Sequence, residues 1–138
     1  MRINWLAILV AMIAQQVLGF IWYSRALFAE RWMAGIGKRP EDLVPTPGPF
    51  ILAIIAAVLL PIGMSWILEH CGVRGLKGGL LVGLGVGVAA SAPAVIVHEA
   101  FLGYPAVVLA IDGAKEIVTA LIVGLILGGW PRKFAAAH

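Results

Sequence analysis

Charge and cysteine are what this chain has least of. Only 12% of its 138 residues are Asp, Glu, Lys or Arg, against about a quarter in a typical soluble domain. So little polar surface cannot clothe a water-soluble globule, and an ordinary soluble enzyme or binding domain is excluded. The single cysteine, Cys71, excludes an internal disulfide and any multi-cysteine metal site. It reads as a small apolar residue at a helix end. The GxSxG, P-loop and dinucleotide-binding patterns are missing. His98-Glu99 opens a zinc-protease motif, but position 102 is Leu, so HExxH is absent. His70 and His98 fall at opposite membrane faces, which rules out a bis-His site within one subunit and leaves a haem or chlorophyll on one His as the only such option. No metal or cofactor is expected. The net charge of +3 is not gathered on one basic face, so nucleic acid is not an expected partner.

What the chain does have is apolar sequence, 62% of the residues, with a mean hydropathy of +1.01. Four apolar stretches, at about 4–23, 48–69, 79–98 and 105–127, are each near the roughly 20 residues that cross a hydrocarbon core. The first is too long for a signal-peptide core and is expected as a retained helix. The expectation is one all-α domain over 1–138, an integral membrane four-helix bundle with lipid as its main partner. The extramembrane loop 24–47 carries Phe28, Trp32 and Ile36 at four-residue spacing among Arg25, Glu30 and Arg31, which predicts a short interfacial amphipathic helix between helices one and two. Trp5, Trp22, Tyr23, Trp32, Tyr104 and Trp130 are placed as membrane-interface anchors. Arg2, Arg74, Lys77, Arg132 and Lys133 on one side, against Arg25, Arg31, Lys38 and Arg39 on the other, lean towards both termini in the cytoplasm.

Small residues recur at four-residue spacing: Gly79, Gly83, Gly87 and Ser91 on helix three, and Ala106, Ala110, Ala114, Gly124 and Gly128 on helix four. Helix one adds Ala7, Ala11, Gln15 and Gly19. Such spacing lets helix backbones approach closely in lipid, either within one bundle or between subunits of a homo-oligomer. Short links make the later helices antiparallel neighbours. Pro61 and Pro93 lie inside helices and free the carbonyls of Ala57 and Ala89.

Helix four is the costly one. Asp112, Lys115, Glu116 and Thr119 follow one helical face, with Lys115 and Glu116 near the bilayer midplane. Three charges cost roughly 8 kcal/mol or more on an insertion scale, while the dozen branched aliphatics of this helix return about 5. Its charged face must therefore meet partners. Similar depths on the other helices suggest a polar layer of Gln15, Gln16, Ser91, Asp112, Lys115 and Glu116, with His98 as a lid. That layer is read either as a structural network or as a proton, ion or polar-solute site.

The start of the chain, INWLAILVAMIAQQVLGFIWYS, with Leu27-Phe28, Trp32-Met33 and the closing AIDGAKEIVTALIVGLILGGW, resembles the bacterial four-helix membrane family catalogued as domain of unknown function 1761. Lys115-Glu116 departs from the aromatic or His residues expected after the Asp. The resemblance implies fold and location only, in a bacterial cytoplasmic membrane. Three functions stay open: a structural or accessory membrane subunit, alone or with other membrane subunits; a small transporter or channel; and, last because no nucleophile–base set is visible, a lipid- or quinone-binding enzyme.

Overall fold

The computed structural model describes residues 3–130; Arg2, Arg132 and Lys133, counted above for orientation, lie outside the described residues. Helix α1 (Trp5–Trp22) starts where the Asn4 side chain accepts the Ala7 backbone N–H at 3.1 Å, an N-cap that satisfies a free helix-end donor. The expected helix in the loop is α2 (Ala29–Gly35). Helix α3 runs Pro47–His70, α4 Gly75–Phe101 and α5 Ala106–Gly129. The turns after α3 and α4 each place a glycine in the left-handed region, Gly72 at φ 63° and Gly103 at φ 76°. That conformation ends a helix without a Cβ clash.

Three of these helices, α1, α3 and α4, are long and apolar enough to cross a membrane, the mark of a membrane protein. The fourth long helix, α5, has the length but carries Asp112, Lys115 and Glu116. It compensates by position, because it is the hub on which α1, α2, α3 and α4 all pack. This differs from a ring of sequential neighbours: α4 and α5 form the most intimate pair, while α3 and α4 barely touch. Bulky apolar side chains such as Phe20, 73% exposed, and Phe101, 89% exposed, point away from the chain's own core. Lipid is the solvent that tolerates them.

The small residues explain the α4–α5 pair. A Cβ at Gly79 or Gly83 would collide with the backbone carbonyls of Gly124 or Ala120, and one at Gly128 would stand 2.6 Å from the Gly75 carbonyl oxygen. Only bare backbone fits there. The alanines of the other expected stripe, Ala106, Ala110 and Ala114, are exposed and face away from the neighbouring helices.

The two internal prolines are accommodated differently. Pro93 lies two residues after a π turn at Gly87–Ser91, a widened turn that relieves the clash between the proline ring and the preceding carbonyls. Pro61 lies inside an uninterrupted α3 and is fully buried. The carbonyl it frees, on Ala57, accepts the Gln15 Nε2 of α1 at 2.9 Å. Gln16 reaches the Ala53 carbonyl at 3.4 Å.

Packing is uneven along the bundle. Ala7, Ile8, Ala11, Met64, Leu68, Val123 and Leu127 make a closed core at the end where α1 begins and α5 finishes. At the other end α3 is bare: every residue from 47 to 56 is exposed, whereas Ala57, Pro61, Met64 and Leu68 form a buried stripe further along.

Candidate functional site

The open end is where the chain has buried a charge. Asp112 sits six residues into α5, about 9 Å along its axis, and is only 6% exposed. Both of its oxygens are used. The Tyr23 hydroxyl donates to Oδ1 at 2.5 Å and the Trp32 Nε1–H to Oδ2 at 2.9 Å. Tyr23 is the residue immediately after α1, and Trp32 lies on α2. One carboxylate thus ties together three elements. A third bond, from Trp22 Nε1 to the Ile111 carbonyl at 3.1 Å, fixes the same end of α1 to α5.

The rings that supply these donors also pack on each other. Tyr23 and Trp32 have centroids 5.1 Å apart, and Trp22 and Phe28 4.9 Å apart, within the range where tilted aromatic pairs are favourable. Gly35 completes the seat of α2, because a Cβ there would run into Val108 of α5. Burial pushes the Tyr23 phenol above its ordinary value, and the hydrogen bond to Asp112 and its negative charge add to the shift. The phenol is therefore a proton donor held in place.

Deeper on α5, Lys115 Nζ pairs with the adjacent Glu116 Oε1 at 2.9 Å, with about a quarter of each side chain exposed. Thr119 returns its hydroxyl to the Lys115 carbonyl at 2.7 Å and is buried. Glu99, near the end of α4, neighbours Asp112. Its Oε2 is buried and has no hydrogen-bond partner.

The residues expected to share one polar layer are therefore divided among separate contacts. Gln15 and Gln16 bond to carbonyls of α3 and not to Asp112. Ser91 lies on the π turn, between the level where Gly87 meets Ile117 and that where Ile96 meets Gly113, which is deeper than Asp112. His98 is exposed. Among the expected interface anchors, Trp32 turns inwards to Asp112, Trp5 stays 64% exposed, Tyr104 is half-buried and Trp130 packs against the closed core. Sequence reasoning missed Tyr23 and Trp32 as the partners of Asp112, and Glu99 as its neighbour. The available signal was that an aromatic with a polar tip, once buried, needs a hydrogen-bond partner.

Fold and site together define an all-α membrane protein in which, among the described residues, one carboxylate is deeply buried and held by aromatic donors from the end of α1 and from α2. The chain belongs to the protein family of unknown function DUF1761, whose family model matches residues 6–128. Trp22, Tyr23, Phe28, Trp32 and Asp112, on which the resemblance rested, are the residues that converge here. No curated protein and no solved structure matches the chain.

Proposed function

We propose that this chain is a structural or accessory subunit of a bacterial cytoplasmic membrane, crossing it four times with both termini on the cytoplasmic side, and that its intramembrane polar groups serve assembly. The reading is carried by the doubly occupied Asp112: the most costly group in the bundle uses both oxygens on the protein's own donors. A buried carboxylate satisfied in this way fixes the position of the elements it joins, and removing one partner leaves an expensive uncompensated group. Gln15 acts in the same sense on α3. The fourth crossing is α5, with Asp112 buried among the helices around it and Lys115 paired with Glu116. The test is the melting temperature and subunit size of purified protein for wild type, Asp112→Asn and Lys115→Met. A sharp drop in melting temperature supports the assembly role; variants of unchanged stability and size refute it.

A second reading, a small transporter of protons or cations, is favoured by the quarter-exposed Lys115–Glu116 pair and by the donor-less Glu99 Oε2. It requires flux into proteoliposomes that Glu116→Gln abolishes while the protein stays folded.

A further inference from the structure

We propose that a second copy of this chain closes the open end of the bundle, docking on the first ten residues of α3 and on the Lys115–Glu116 pair of α5. The proposal rests on the reading of the chain as a membrane subunit and deepens it by naming the surface through which it self-associates.

Residues 47–56 of α3 are exposed on every side, with Phe50, Ile51, Leu52, Ile54 and Ile55 each about half exposed or more. From Ala57 onwards the same helix has an ordinary buried stripe. The charged pair lies level with the inner end of the bare segment. Helices α3 and α5 run parallel, and at 1.5 Å per residue residues 47–56 cover about the first 14 Å of α3. Lys115 lies about as far from the start of α5.

The exposure of the pair also has a direction. Lys115 and Glu116 flank Asp112 and Thr119, which are buried, and point away from the exposed stripe of Ala106, Ala110 and Ala114. What is open of them therefore opens away from that stripe, towards the inner side of the bundle.

The choice of occupant follows from charge. Acyl chains could cover the apolar residues of α3, but they carry no polar group at this depth, and lipid headgroups lie a helix half-length away. One cation beside one anion is self-complementary. A two-fold axis sets Lys115 of each copy against Glu116 of the other, as an isologous interface requires. The two internal pairs become a ring of four charges, each with two partners, screened from lipid by the exposed halves of α3.

The test uses full-length protein in nanodiscs, read by native mass. Lys115→Glu and Glu116→Lys are made separately and co-expressed. Wild type is expected as a dimer, each single variant as a monomer, and the co-expressed pair as a mixed dimer restored at least tenfold over either variant alone. Single variants that dimerise like wild type overturn the proposal, as does a monomeric wild type. Should the charge variants fail to insert, a photo-crosslinker on Ile54→Cys in a Cys71→Ser background gives the answer without touching a charge. A covalent dimer from position 54, and none from Phe20→Cys on the outer face of α1, supports the interface. Lipid adducts alone from position 54, or a dimer from position 20 only, overturn it. The assembly role of Asp112 is read from the melting temperature, so the two ideas fail separately.

Discussion

Replacing Gln15 by Leu should cost this protein about 1–2 kcal/mol, and should cost almost nothing once Pro61 is gone. Pro61 has no N–H to give the Ala57 carbonyl four residues earlier. In water that carbonyl would be solvated; here Ala57 is buried, and the Gln15 Nε2 at 2.9 Å takes the place of the missing backbone donor. An unsatisfied buried polar group costs about 1–3 kcal/mol. Measured side-chain couplings inside membranes average about 0.6 kcal/mol, with a maximum near 1.7, so the lower half of the range applies. In Pro61→Ala the backbone supplies its own N–H, and Gln15 becomes dispensable for Ala57. The assay is a double-mutant cycle over wild type, Gln15→Leu, Pro61→Ala and the double variant, unfolded reversibly in mixed micelles. A coupling near 1 kcal/mol is expected, after the packing lost with the buried Pro61 cancels between the two arms. If Gln15→Leu costs the same in both backgrounds, the glutamine is not substituting for the proline's missing bond and the reasoning fails.

Other outcomes follow from the same contacts. Gly83→Ile should separate α4 from α5 and destabilise by more than about 2 kcal/mol, the scale of overpacking a tight contact, whereas Gly19→Ala, with nothing within 4 Å of its Cβ, should be silent; equal melting temperatures for both would refute the close approach. Trp32→Phe keeps the ring but leaves one Asp112 oxygen without its donor, so the melting temperature should fall and α2 should become sensitive to protease; an uncleaved α2 contradicts the tether. Because the folded state holds the Tyr23 proton more tightly than the unfolded chain does, its contribution to stability is complete below the ordinary tyrosine value of about 10 and is lost as pH rises above it. The alkaline fall in stability should therefore flatten in Tyr23→Phe, and an unchanged slope would count against the Tyr23–Asp112 bond.

The sequence by itself determined the solvent and most of the helices. A chain with 62% apolar and 12% charged residues has no choice but to face lipid, and hydropathy reads that directly, because every backbone polar group must then be satisfied within helices. It also marked the glycine stripes of α4 and α5 as faces of close approach, without saying which helices would meet there, and it marked the Ala57 carbonyl as one needing a donor. The donor itself was beyond it. Gln15 reaches Ala57 across 42 positions of sequence, and no local pattern distinguishes that glutamine from Gln16. Depth counted along separate helices put Gln15, Ser91 and Asp112 in one layer, but depth says nothing of the direction in which a side chain points. Tertiary structure decided that Tyr23 and Trp32, which look like interface anchors, turn inwards to Asp112. It also decided that α5, the most charged of the four long helices, is the one the others surround. The reason is energetic: charges that lipid cannot solvate draw the remaining helices around the one that carries them.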